Sequence, residues 1–172
     1  MKHNPFIPFI VCAITFFILA PAQAEWSARI QATGQKINGH YKSQITIGAG
    51  LSSMKIKAPP KAPMYSCTLG LIDLPDWSGY LTTLIQPELN MSHMWALAVN
   101  PHGNTSGFNE ATTTLSWNPS QLGDGIFKLV EGWDGTGKEL IHNMKNKSSF
   151  DVKGFNADLY FTIIQENESQ EN

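Results

Sequence analysis

The stretch ATTTLSW, residues 111–117, decides the fold class of this chain. Thr113, Leu115 and Trp117 fall on one side of an extended backbone, and Thr112, Thr114 and Ser116 fall on the other. Successive side chains of a β-strand point to opposite faces, so this period of two predicts a strand with one buried face. After the turn formers of residues 118–125, the apolar run IFKLV at residues 126–130 predicts a second strand.

The same period of two recurs on both sides of this stretch. It is found in residues 26–33, 44–47, 54–57, 65–71, 95–99 and 159–163, with glycine-, asparagine- and aspartate-rich turns between the runs. No long segment has a helical period: residues 138–145 are interpreted as strand or loop, and residues 118–122 as one helical turn. We therefore predict an all-β fold, a single antiparallel β-sandwich of about 8–10 strands, immunoglobulin-like or jelly-roll-like. The expected core residues are Ile30, Ile45, Ile47, Leu69, Trp95, Leu97, Val99, Leu115, Trp117, Leu129, Leu159, Phe161 and Ile163.

The first 24 residues are typical of a secretory signal peptide. Lys2 precedes an apolar run at residues 6–20, and small residues spaced A-x-A end at Ala24. The run is short for a membrane span, which needs about 20 residues. We expect cleavage after Ala24, a secreted or periplasmic location, and no stable membrane span in the mature chain.

The rest of the chain predicts one domain and a short tail. The sandwich is expected over residues 25–165, with a polar tail at residues 166–172. The proline-rich residues 58–63 are interpreted as a crossover within this domain, because the mature piece before them is too short to build a core of its own.

Composition excludes several classes of protein. A net charge of −2 provides no basic surface for nucleic acid. Two cysteines are too few for a disulfide scaffold or a zinc site of four cysteines, and Cys12 lies in the signal. The alternation around Cys67 places it on an apolar face, where it is expected to be a buried small hydrophobe rather than a nucleophile.

One part of the sequence resembles immunoglobulin-like and fibronectin-III-like β-sandwich modules of secreted bacterial surface proteins. The resemblance lies in residues 111–119, ending in Leu-Ser-Trp-Asn-Pro, followed by the glycine-containing turn and strand of residues 123–129. In fibronectin-III modules the tryptophan strand comes early, whereas here it comes late in the chain. The resemblance implies a non-catalytic adhesion, scaffold or ligand-binding role, and it assigns no functional residue.

The motifs of common enzyme classes are missing from the sequence. There is no G-x-S-x-G nucleophile motif and no phosphate-binding glycine loop. Asp73 and Asp76 bracket Leu74 and Pro75 in a turn, and they are interpreted as turn formers rather than as the two acids of a glycosidase. We therefore expect no catalysis and no cofactor.

A metal site is the alternative that the sequence leaves open. The side chains with ligand chemistry are Met91, His93, Met94, His142 and Met144. Thioether and imidazole groups suit copper(I) in an extracytoplasmic protein, provided that they converge in space.

Two turns carry aromatic residues beside acids and are the predicted binding surface. Asp76, Trp77 and Tyr80 lie in one, and Trp133 and Asp134 lie in the other. Aromatic rings anchor protein partners, and a ring beside a carboxylate also suits a sugar. We predict a secreted, non-catalytic protein that binds a protein partner or joins a surface assembly. A carbohydrate-binding module and a periplasmic copper(I)-binding protein are the alternatives.

Overall fold

The computed structural model describes residues 24–34, 42–60, 67–75, 78–87, 92–102 and 109–167. The regular secondary structure of these residues consists of eleven strands and two short 3₁₀ turns, so the all-β prediction is confirmed. None of their helical turns has the length and apolar character that crossing a bilayer requires. The strands are Ala24–Gly34 (β1), Lys42–Gly50 (β2), Met54–Lys57 (β3), Thr68–Ile72 (β4), Tyr80–Pro87 (β5), His93–Asn100 (β6), Ala111–Trp117 (β7), Ile126–Glu131 (β8), Glu139–Ile141 (β9), Ser149–Gly154 (β10) and Leu159–Glu166 (β11).

All eleven described strands belong to one hydrogen-bonded sheet, one strand more than the upper number expected. Ten of them follow the order β10-β7-β1-β2-β5-β4-β6-β11-β8-β9, and β3 pairs with β5 outside this path. Every pairing is antiparallel except that of β2 with β5, which is parallel. Residues 1–23 of the predicted signal peptide lie outside the described residues.

The sheet curls around a core formed by one of its faces. Trp26 of β1 meets Trp95 of β6 edge-on, with 5.5 Å between the ring centroids, and meets Phe127 of β8 at 5.1 Å. Three strands separate β1 from β6 in the sheet order, so these contacts require the sheet to bend back on itself. The predicted core residues are all buried except Leu159, which is partly buried and packs against the others.

The bend is visible along strand β5. Strand β3 occupies one edge of β5, and β2 and β4 share the other: β2 pairs with residues 83–87 and β4 with residues 80–81. The Ser43 hydroxyl of β2 donates to the carbonyl of Leu69 in β4 at 3.1 Å and accepts from its N–H at 3.0 Å. A side chain therefore replaces backbone pairing at the seam where β2 and β4 separate.

Two local predictions are also confirmed. Residues Pro119–Gln121 form one 3₁₀ turn, and the Asn118 side chain accepts from the Ser120 N–H at 3.1 Å. Cys67 is completely buried, and its thiol contacts the carbonyl oxygen of Ala32 at 3.6 Å.

Candidate functional site

Tyr80 is a predicted binding residue that the structure places beside a cleft. It is the first residue of β5 and not part of a loop, which corrects the sequence interpretation. Its hydroxyl donates to Asp158 Oδ2 at 2.5 Å, and its ring lies over Gly70, where an added Cβ would be 3.1 Å from the ring atom Cδ1. Burial, reinforced by the hydrogen bond to Asp158, raises the pKa of Tyr80 above its ordinary value. The hydroxyl therefore stays protonated and acts as a donor.

The cleft has a volume of about 370 Å³ and opens along the seam where β2 and β4 diverge. Its walls combine small apolar surfaces with hydroxyl, amide and carboxylate groups. The residues that line it are Lys42, Ser43, Gln44, Ala58, Pro59, Pro60, Thr68, Leu69, Gly70, Tyr80, Thr82, Ala98 and Asp158. This mixture of apolar walls and a few polar groups is the usual lining of a ligand site.

A second apolar cluster on the outer face of β4 and β6 supports Tyr80. Ile72, Ala96 and Ala98 are buried there, and Tyr80 and Tyr160 pack against them. The alternate residues of β6 face the main core, so this strand is buried on both faces. The two alanines are small, which leaves room for the tyrosine rings above the sheet.

Trp133 and Asp134 lie in the turn between β8 and β9. The Gly132 N–H before them donates to the carbonyl of Tyr160 at 2.9 Å, which fixes the turn to β11. Trp133 is 43% exposed. The N–H and hydroxyl of Thr136 donate to Asp134 Oδ1 and hold the pKa of that carboxyl below its ordinary value. Asp134 therefore serves the turn, as an aspartate before glycine commonly does.

The other predicted turn is only partly described. Asp76 and Trp77 lie outside the described residues. Asp73 accepts from Lys55 Nζ at 2.6 Å and from the Ser78 hydroxyl at 3.2 Å. These contacts fit its predicted role as a turn former.

The structure does not bring the two described histidines of the metal hypothesis together. His93 and Met94 are neighbours on β6 and point to opposite faces, with His93 buried and Met94 42% exposed. His142 follows β9, and strands β11 and β8 lie between β9 and β6. Three strand spacings correspond to about 14 Å along the sheet.

The remaining metal candidates have other contacts or lie outside the described residues. His142 Nδ1 is 3.1 Å from Glu139 Oε1. Met144 is buried, and its carbonyl accepts from the indole N–H of Trp117 at 2.9 Å. Met91 lies outside the described residues. Across the described ranges, no three histidine, cysteine or acidic side chains are grouped as a metal site would require. Copper(I) binding stays a prediction.

His93 is a buried titratable group at the edge of the core. Its Nδ1 is 3.2 Å from Gln86 Oε1, and its ring lies 5.7 Å from that of Trp95. It stands opposite Gln165 of β11, whose Oε1 is buried and without a partner among the described residues. Burial lowers the pKa of His93 below its ordinary value.

This burial predicts a loss of stability in mild acid. Below about pH 6.5 the unfolded chain takes up a proton on this histidine that the folded chain resists, so the free energy of unfolding should fall as the pH drops. Denaturant unfolding at pH 7.5 and pH 5.5 measures this difference. We expect His93→Gln to show a smaller difference than the parent, because the buried imidazole is removed. Equal pH dependence in the two proteins would contradict the prediction.

Sequence reasoning missed Asp158 and Ser43, which complete the cleft. Asp158 lies 78 positions after Tyr80, and no spacing rule connects residues so far apart. Ser43 lies next to Gln44 at the start of β2, and nothing in the sequence distinguishes it from other polar residues at the solvent-facing end of a strand.

Comparisons of the chain with family models, curated proteins and solved structures found no match.

Proposed function

We propose that this chain is an exported, non-catalytic β-sandwich protein that binds a protein partner through strand β3. Export is supported by the signal-like residues 1–24. Strand β1 begins at Ala24, so cleavage after this residue would leave the rest of the sheet complete. N-terminal sequencing of the exported protein is expected to start at Glu25, and a start at Met1 would contradict cleavage.

In the proposed sandwich, strand β5 joins two layers. One layer holds β10, β7, β1, β2 and β3, and the other holds β4, β6, β11, β8 and β9. The proposal is supported by contacts between strands that are distant in the sheet order. Trp26 packs against Trp95 and Phe127, and Cys67 reaches the carbonyl of Ala32.

The exposure of β3 is the observation that carries the proposed function. All four residues of this strand are exposed, including Met54 at 46% and Ile56 at 49%, and Leu51 before it is 86% exposed. Among the described strands, β3 pairs only with β5. An unpaired edge with exposed apolar side chains is a template for an added strand, which is a common mode of peptide recognition.

The lysines of β3 indicate the chemistry of the partner. Lys55 is paired with Asp73, and Lys57 adds a second positive charge to the same edge. A second copy of β3 would place lysine near lysine, and like charges across a strand pair are destabilising. The proposed partner is therefore an extended segment of a different protein that carries apolar and acidic residues. Pro59 and Pro60 lack backbone N–H groups, so they end the edge available for pairing.

Affinity capture tests this proposal. The mature chain is the bait, the extracytoplasmic fraction of the source cells is the sample, and captured proteins are identified by mass spectrometry. The double variant Met54→Asp and Ile56→Asp should lose a specific protein that the parent captures, because it removes the apolar contacts and adds repulsion to an acidic strand.

Phe155→Asp is the matched control for this experiment. Phe155 is also an exposed large hydrophobic residue, at 58%, but it follows β10. The Phe155→Asp variant should capture the same protein as the parent. The proposal is wrong if no protein is captured specifically, or if the β3 double variant captures the same set as the parent.

A further inference from the structure

We infer that the cleft beside Tyr80 is a binding site for a neutral carbohydrate. The inference does not depend on the partner proposed for β3, because it rests on different side chains. Its basis is an oriented carboxylate next to an apolar wall, in a cleft of about 370 Å³. Ligand sites of this kind usually measure roughly 300–1,000 Å³, so the cleft has room for a small saccharide.

Asp158 is the central polar group of the proposed site. The Tyr80 hydroxyl donates to its Oδ2 at 2.5 Å and thereby fixes the orientation of the carboxylate. An ionised carboxylate accepts about four hydrogen bonds, so the contact with Tyr80 leaves acceptor capacity for the hydroxyls of a ligand. Hydrogen bonds to a charged acceptor are stronger than those between neutral groups.

Neutral polar groups on the neighbouring strands complement this carboxylate. Gln44 of β2 provides an amide that can donate and accept. The Thr82 hydroxyl of β5 donates to the carbonyl of Ile56 at 3.4 Å, and its oxygen can still accept. A saccharide has the same dual character at every hydroxyl. A ligand with only donors or only acceptors would leave part of this lining unmatched.

The apolar wall of the cleft is suited to contact with the ring of a sugar. Pro59, Pro60 and Tyr80 line the cleft beside Leu69 and Ala98. The C–H face of a pyranose packs on aromatic and aliphatic surfaces, while its hydroxyls point to the polar groups around the edge. The lining therefore matches a molecule with an apolar face and a polar rim.

The charges of the lining favour a neutral ligand. Lys42 contributes one positive charge and Asp158 one negative charge to the same cleft. The Asp158 carboxylate would repel an anionic ligand, and the Lys42 ammonium group would repel a cationic one. A neutral sugar is repelled by neither group.

Titration of the ¹⁵N-labelled mature chain with simple sugars tests the inference. The probes are D-glucose, D-galactose, D-mannose and N-acetyl-D-glucosamine, with D-glucuronate and D-glucosamine as charged counterparts. At least one neutral sugar should shift the amide signals of the cleft residues. Asp158→Ala should raise the dissociation constant of that sugar about tenfold, as expected for a lost hydrogen bond to a charged group. Tyr80→Phe should also weaken binding, because the carboxylate loses its orienting hydroxyl.

Asp151→Ala is the matched control. Asp151 is a carboxylate of β10 that accepts from the Thr114 hydroxyl at 2.7 Å, the same kind of contact away from the cleft. The Asp151→Ala variant should bind the sugar with the dissociation constant of the parent, and so should the double variant Met54→Asp and Ile56→Asp. The inference is overturned if no neutral sugar shifts the cleft signals, if only a charged sugar does, or if Asp158→Ala binds as tightly as the parent. Amide spectra of each variant establish that the fold is retained.

Discussion

Replacing Trp95 by alanine is expected to lower the free energy of unfolding by about 3–5 kcal/mol, as truncating a core aromatic does. Trp95 is completely buried and packs against the rings of Trp26 and Phe127. Its indole N–H also donates to the carbonyl of Leu84 at 3.2 Å, so the substitution removes a hydrogen bond as well as a large apolar surface.

Denaturant unfolding followed by circular dichroism measures this loss. Trp133→Ala is the matched control, because the same side chain is removed from a position that is 43% exposed. We expect it to cost clearly less than Trp95→Ala. Equal losses at the two positions would mean that the contacts between distant strands do not stabilise the curled sheet.

Replacing Gly123 by alanine is expected to destabilise the fold by about 1–3 kcal/mol through overpacking. A Cβ on this glycine would overlap the indole ring of Trp26, with Cγ of that ring 2.6 Å away. The indole ring is partly buried and packs edge-on against Trp95 and Phe127, which limits its movement towards the core.

A double-mutant cycle with Trp26→Leu identifies the cause. If the clash with the indole ring accounts for the loss, Gly123→Ala should cost less in the Trp26→Leu background than in the parent. Thermal and denaturant unfolding of the four proteins provide the comparison. An unchanged cost in the two backgrounds would place the strain elsewhere in the turn before β8.

The alternation of apolar and polar residues predicted several of the strands that have one face in the core and one face in solvent. Strand β7 is the clearest case: Leu115 and Trp117 are buried and Ser116 between them is not. Strand β10 was not predicted, although Phe150 and Val152 alternate there with polar residues, and all residues of β3 are exposed, although its alternation predicts one buried face.

The pattern did not identify β5, because its apolar residues do not alternate regularly with polar ones. Leu84 joins the main core, whereas Ile85 lies over Gly48 on the other side of the sheet.

The candidate site was less accessible to sequence reasoning than the core. Tyr80 was singled out as an aromatic residue among turn formers, yet it begins a strand, and its partner Asp158 is remote in sequence. Periodicity predicts which face of a strand is buried but not which strands are neighbours. The cleft depends on such neighbours, since it forms where β2 and β4 leave the same edge of β5.

The position of β11 in the sheet has a consequence for the order in which the chain folds. This strand is the last in the described sequence, but it lies between β6 and β8 and pairs with both. A chain emerging from a ribosome or a translocation pore lacks this strand until Leu159–Glu166 has emerged. Until then β6 and β8 each have an unpaired edge, and the core lacks Phe161 and Ile163. The sheet therefore completes only after β11 has emerged, and until then the chain must be kept from aggregating through those edges.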